Sequence, residues 1–204
     1  QGDHRSANFD IYLMRGRSVI TASSVIFDSD RDTLILSEAD SVGTVTFTGL
    51  LPDGSHIQRR YVFYNKGYRF NHSYIVESKA TKEFDQSILW WRKGLYPTEK
   101  NIKMDLTQFR FVYMMGNSTE REKFKEKNGI LMSPDGNTQF AGTHSKYFIV
   151  MMAPVEGAAD GARASGTFRD MEFDEDIYSI PQIGVGLYNA HTENVIREEF
   201  MVYL

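Results

Sequence analysis

Residues 68–77 constrain this chain more than any other stretch. Tyr68, Phe70, His72, Tyr74 and Val76 alternate with Arg69, Asn71, Ser73, Ile75 and Glu77, and a period of two puts one set on each face of a strand. Residues 57–64 precede it through Asn65-Lys66-Gly67, where glycine supplies the positive φ of a tight hairpin with a bulge. An aromatic strand face must be buried against a second layer, so this hairpin is predicted to form one wall of an all-β core.

Strand character recurs along the chain. Residues 18–27 and 33–36 flank the polar run Asp28-Ser29-Asp30-Arg31-Asp32 and read as a hairpin. Residues 42–48 alternate Val45 and Phe47 with threonines and stop at Pro52-Asp53-Gly54. Residues 87–91, 108–115, 167–173, 183–188 and 195–203 read as further strands, and 101–107 fit either helix or strand. The run Tyr147-Phe148-Ile149-Val150-Met151-Met152, between Gly142 and Pro154, suits a central strand covered on both faces. Two stretches read differently. Charge dominates 118–127, which suits a short exposed helix with a Ser or Thr cap or a long charged hairpin loop. Residues 156–166, rich in glycine and alanine, read as a mobile loop. There is no repeat of fixed period.

A length of 204 residues suits a single β domain able to bury a core without disulfides or metals. A net charge of −4 carries no footprint of a nucleic-acid binder. Cysteine is absent, which removes disulfides, thiolate metal sites and cysteine nucleophiles. No stretch reaches the roughly 18 to 20 apolar residues of a spanning helix. The start at Gln1-Gly2-Asp3 suits a processed N-terminus or a piece of a longer protein.

Motifs that carry chemistry are few. Asp170, Glu172, Asp174, Glu175 and Asp176 form an acidic run without the turn glycine of a calcium loop, and alternation with Met171 and Phe173 fits a strand with an acidic solvent face. His4, His56, His72, His144 and His191 fall into no short-spaced metal pattern. Gly184-Val185-Gly186 and the glycines of 157–166 complete neither a dinucleotide fingerprint nor a phosphate loop. No catalytic, cofactor-binding or metal-binding residue is therefore assigned, and no cofactor is expected. The residues that suit a groove or a structural motif are Tyr68, His72, Trp90, Trp91, Tyr96, Tyr147 and Phe148. Trp90, Trp91 and Tyr96, with Arg92, have the chemistry to stack on a carbohydrate or peptide, although alternation sends the two tryptophans to opposite faces.

The order of these segments resembles a known family. The hairpin from Gly54-Ser55-His56-Ile57-Gln58-Arg59-Arg60-Tyr61-Val62-Phe63 to Lys66-Gly67-Tyr68-Arg69-Phe70-Asn71-His72-Ser73-Tyr74 is similar to paired strands in the large periplasmic domain of the YidC membrane-protein insertases. Leu89-Trp90-Trp91-Arg92-Lys93-Gly94-Leu95-Tyr96-Pro97-Thr98-Glu99 resembles that domain's tryptophan–glycine–leucine segment. Residues 142–154, with Tyr147-Phe148 and an aliphatic stretch ending in Pro154, resemble its tyrosine–phenylalanine segment, and 198–204 its last strand. The sequence departs from the family at His144-Ser145-Lys146, where an aromatic usually stands, and in lacking the short closing helices.

The resemblance implies a β-supersandwich of antiparallel sheets, akin to galactose mutarotases, with at most short helices. It implies a single periplasmic domain over 1–204, part of a multi-pass protein at the periplasmic face of the bacterial inner membrane. Its expected role is non-catalytic: assisting insertion or folding of inner-membrane proteins. Expected partners are other domains of the same protein, accessory subunits of the Sec translocon and nascent membrane proteins, with no nucleic acid. The alternative reading is a secreted or lipid-anchored carbohydrate-binding β-sandwich protein. An enzyme related to sugar epimerases would require a carboxylate and a histidine converging in a concave site.

Overall fold

The computed structural model describes residues 9–79, 83–124, 130–173 and 175–204. His4, Asp174 and the charged residues at 125–127 lie outside them. In chain order the strands are β1 (Phe9–Arg15), β2 (Ser18–Thr21), β3 (Phe27–Ser29), β4 (Val42–Leu50), β5 (His56–Tyr64), β6 (Arg69–Glu77), β7 (Gln86–Trp91), β8 (Arg110–Met115), β9 (Ser118–Lys123), β10 (Ile130–Met132), β11 (Asp135–His144), β12 (Ile149–Pro154), β13 (Ala159–Phe173), β14 (Asp176–Ala190) and β15 (Val195–Tyr203). A short helix, α1 (Ile102–Leu106), lies between β7 and β8. Its start is capped by the Asn101 side chain, which accepts from the Met104 N–H. Among the described residues no helix is long and apolar enough to cross a membrane.

The protein is an antiparallel β-sandwich. One layer has the order β2-β1-β7-β14-β13, and the other runs β3-β4-β5-β6-β15-β12-β11, with β8 and β9 beyond β11. β11 belongs to both layers. Its Asp135 and Thr138 pair with β13, whereas 141–144 pair with β12 and β8, and the register shifts between Thr138 and Phe140. An irregularity of this kind bends a strand and sharpens its twist, which lets one hydrogen-bonded path fold into two layers.

Alternation then fills the space between them. Ile11 and Leu13 of β1, Leu89 of β7 and Val185 and Leu187 of β14 are buried with Tyr74 and Val76 of β6, Phe200 and Val202 of β15 and Met152 of β12. Burying each side chain of this size contributes roughly 1.5–3 kcal/mol by removing its apolar surface from water. Tyr74 also donates its hydroxyl to Ser87 Oγ at 2.8 Å, a bond from β6 to β7 that joins the layers.

Several expectations are corrected. Residues 18–27 and 33–36 do not pair: β2 folds back on β1 and β3 pairs with β4. Leu34 and Leu36 instead lie over Gly43, where an added Cβ would come within 2.5 Å of Leu34 Cδ1. The charged stretch begins with β9, an exposed edge strand paired to β8, and charge on an edge discourages further pairing. The run 147–152 is split. Tyr147 and Phe148 are exposed in the turn before β12, and only Val150 and Met152 are buried. β12 is nonetheless interior, between β11 and β15.

The largest difference concerns 156–166, most of which is the first half of β13. Small residues are required there by close packing. Ala162 and Ala164 are fully buried, and a Cβ on Gly166 would collide with the Gln182 carbonyl oxygen. The first part of the acidic run is as expected, with Asp170 and Glu172 exposed and alternating with half-buried Met171 and Phe173.

Gly166→Ala should therefore destabilise the fold by about 1–3 kcal/mol, while Ser165→Ala, at an exposed neighbour, should change it by less than about 0.5 kcal/mol. Urea denaturation of the two variants checks this.

Candidate functional site: an aromatic groove between the layers

The inner face of the second layer extends past the first, and the uncovered part is aromatic. Register places Phe47, Arg59 and Tyr74 in one cross-strand row, Val45, Tyr61, His72 and Phe200 in the next, and Gly43, Phe63, Phe70 and Val202 in a third. Phe27, Val45, Phe47, Arg59, Tyr61 and Phe63 line a groove of about 400 Å³. Its ring contacts are dense: Tyr61 stacks on Phe63 at 6.1 Å and meets Phe47 edge-on at 5.8 Å, and Phe63 lies 5.5 Å from Phe70. Such pairs add stability beyond buried area and hold the walls in place.

Phe9, the first residue of β1, closes the groove on the side of the first layer. Its ring sits edge-on to His72 at 4.7 Å and to Phe70 at 6.1 Å. Arg59 ties this corner together. Its Nη2 donates to the Phe9 carbonyl oxygen at 3.1 Å and its Nε donates to His72 Nε2 at 3.4 Å. The guanidinium also lies 5.5 Å from the Tyr61 ring and 5.8 Å from that of Phe27, distances at which a cation is attracted to a ring face. Complete burial, reinforced by the Arg59 charge, holds His72 well below the usual histidine range. It is therefore the neutral acceptor this geometry needs. Burial also raises the Tyr61 phenol.

A second, polar groove of about 620 Å³ opens farther along the same face, lined by Tyr74, Asp160, Asn189, Glu198 and neighbours. Ser87 Oγ and His191 Nε2 are 2.6 Å apart, and His191 Nε2 lies 3.7 Å from Glu198 Oε1. Asn189 Nδ2 donates to Glu198 Oε2 at 2.7 Å. Burial is the main cause that lifts Glu198 to about 7, and burial also lowers His191, so this contact is not a fixed ion pair. A serine, a histidine and a carboxylate meet here, but serine and carboxylate address the same ring nitrogen. A nucleophile relay needs them on opposite nitrogens, and Ser87 is itself buried and occupied by Tyr74. The cluster bolts β7 and the end of β14 to β6 and β15.

The sequence-selected residues are dispersed. His72 is fully buried beside the groove, under Phe9 and against Arg59, and Trp91 lies 6.5 Å from Phe9. Trp90 points the other way, into a small cluster with Ile88, Tyr188, Tyr12 and Met14 on the outer face of the first layer. Tyr68 and Tyr96 are exposed in loops, and Tyr147 and Phe148 are exposed at the β11–β12 turn. The His144 imidazole is paired with its neighbour, through Nδ1 and the Ser145 carbonyl oxygen. The described residues of the acidic run, among them Asp170, Glu172 and Asp176, sit at the end of the β13–β14 hairpin, so they share no site with His72 and His144, and the epimerase requirement is not met by them. Among the described residues no three histidine or acidic side chains could hold a metal ion. Sequence reasoning missed Arg59 and the pairing of His191 with Glu198. The signal for Arg59 was present: it occupies an apolar position in the alternation Ile57, Arg59, Tyr61, Phe63.

No family model matches the chain, and no curated protein matches it in sequence. Among solved structures it is similar to a GH36 α-galactosidase from Geobacillus stearothermophilus, at 10% identity and a TM-score of 0.48, over 98% of this chain and 30% of that one. It is also similar to the galactosidase domain of an α-galactosidase–sucrose kinase, at 10% identity and a TM-score of 0.46, over 98% and 30% of the two chains. The chain thus spans 30% of the length of these structures. A likeness this distant transfers no function.

Glu198 gives a pH test of the polar cluster. A carboxyl raised from 4.5 unfolded to about 7 folded costs nothing below pH 4.5, and its penalty grows as pH rises to about 7. The lowered His191 acts in the opposite sense, adding stability as pH rises towards 6.5. Glu198→Gln should therefore stabilise the protein by about 2 kcal/mol at pH 8, with the gain fading below pH 5, as read from denaturation midpoints.

Proposed function

We propose that this chain is a non-catalytic docking domain, the periplasmic domain of a membrane-protein insertase of the YidC type, whose aromatic groove receives an apolar stretch of a polypeptide partner. The groove carries the reading. It is a preformed concavity walled by aromatic side chains, the usual make-up of a recognition site, and its half-buried apolar lining leaves a contiguous apolar surface of the kind that marks interaction sites. The family assignment draws support from placement: three of the segments that resemble the insertase domain fall on β5–β6, β12 and β15, and these are neighbours in the order β12-β15-β6-β5. On this reading the domain sits at the periplasmic face of the inner membrane within a multi-pass protein. Its partners are other domains of that protein, Sec accessory subunits and nascent membrane proteins.

A second reading has its own observation. On the outer face of the first layer, Tyr12, Trp90, Arg92, Ser165 and Gln182 surround a hollow of about 220 Å³, and Trp90 Nε1 and Gln182 Nε2 are buried without hydrogen-bond partners. An aromatic residue beside unused donors suits a hydroxylated ligand such as a carbohydrate.

Fractionation of source cells separates the two. The insertase reading expects an antibody against this domain to detect a carbonate-resistant membrane band much larger than a 204-residue chain. It also expects a photo-crosslinker in place of Phe63 to capture membrane proteins during their synthesis. A soluble band of this chain's own size, together with saturable binding to a glycan panel that Trp90→Ala weakens, would overturn it in favour of carbohydrate binding.

A further inference from the structure

The apolar groove contains one cation without a counter-ion. Arg59 is 7% exposed, and among the described residues no carboxylate lies within ion-pair distance of it, although Arg15, Arg31, Arg92 and Arg163 each have one. Its Nε and Nη2 are engaged by His72 and the Phe9 carbonyl, both neutral acceptors. Among the described residues Nη1 has no hydrogen-bond partner, and it is not among the buried polar atoms left without one, so it reaches the groove that Arg59 lines. A guanidinium keeps its charge wherever it sits, and removing it from water without pairing is costly.

The neighbouring carboxylates are committed elsewhere. Asp10 precedes Ile11 on β1 but faces the opposite side, accepting from the Ile11 and Ser23 N–H groups at 2.9 Å and from Arg92 at 3.1 Å. Glu198 shares the cross-strand row of Arg59 but lies beyond Tyr74, two strands away, which is about 10 Å at ordinary strand spacing, and it is held by Asn189.

Resting on the docking function proposed above, we infer that the groove selects an apolar polypeptide segment carrying one carboxylate, and that Arg59 Nη1 is the donor that receives it. The aromatic walls take the apolar side chains, and the carboxylate supplies the charge that the fold leaves out. Recognition is local, because a chain of net charge −4 offers an acidic segment no long-range attraction. A charge-assisted bond that the bound segment itself covers from water is strong enough to discriminate.

Short leucine- and phenylalanine-rich peptides, acetylated and amidated and differing at one central position, test this by isothermal titration against the whole chain. The peptide with Asp should bind at least about tenfold tighter than its Asn counterpart, and the Lys peptide weakest. An Asn peptide with a free C-terminal carboxylate separates chain-end from side-chain recognition, and tight binding of either acidic form supports the inference. In Arg59→Met the preference should vanish while residual apolar binding persists. Should that variant fail to fold, Phe47→Glu serves instead. Phe47 lies directly opposite Arg59 in the β4–β5 register, so the new carboxylate should occupy the guanidinium and abolish the preference. Equal binding of the Asp, Asn and Lys peptides, or a preference that survives in the folded Arg59→Met variant or in the Phe47→Glu variant used in its place, overturns the role of Arg59 and leaves the docking function standing. Binding of none of the peptides overturns both.

Discussion

The corner formed by Phe9, His72 and Arg59 holds the two layers in the arrangement from which the groove follows. Phe9 reaches the second layer only because its ring finds His72 and Phe70 edge-on and its carbonyl oxygen finds the Arg59 guanidinium. Those contacts require a neutral imidazole, since a protonated His72 would face Arg59 as a like charge and offer no lone pair to its Nε–H. Burial secures that state. The same burial that makes the corner stable thus fixes which groups donate and which accept. Beyond the corner the first layer stops covering the second, and the aromatic face of β4 and β5 is left open.

The other end of the sandwich is closed by different means. There β13 and β14 pair over thirteen residue positions, and glycine and alanine bring backbone close to backbone. Gly161 lies against the Tyr188 ring, and the Arg163 guanidinium lies over that ring, 3.6 Å from its centre. Large residues at one end hold the layers apart and small residues at the other let neighbouring strands and their side chains pack close. The bend in β11 is compatible with both.

How much of this was legible depended on whether the information was local. The β5–β6 hairpin could be read because its alternation and its turn glycine lie within one short segment, and β4, β7 and β15 followed for the same reason. β13 could not. Gly161, Ala162, Ala164 and Gly166 look like loop residues until Gln182 and Tyr188 are placed against them, and nothing in their own neighbourhood supplies those partners. β1 was overlooked although its signal is local: Phe9, Ile11 and Leu13 alternate along it, and it pairs with β2 through a tight turn at Gly16 as well as with distant β7. In the groove, Arg59 stood in plain view as a charge on an apolar face. By contrast, the meeting of Ser87, His191 and Glu198 is set by pairings across β6, β7, β14 and β15 that no spacing announces.

The row Phe47, Arg59, Tyr74, Glu198 connects the two candidate sites physically. It carries a fixed cation and a titratable acid on one face of one sheet, and in most cores such groups would neutralise each other. Tyr74 prevents it: its ring is fully buried between them and its hydroxyl is drawn across to Ser87, leaving no polar path along the row. Separation keeps the acid in a site where burial makes its protonated form favourable near neutral pH and keeps the cation unpaired at the aromatic end. A fold selected for stability alone would have had an inexpensive remedy, a carboxylate at Phe47 or Val45 beside the guanidinium. That apolar residues stand there instead is the strongest physical argument that the charge of Arg59 is held for something outside the fold.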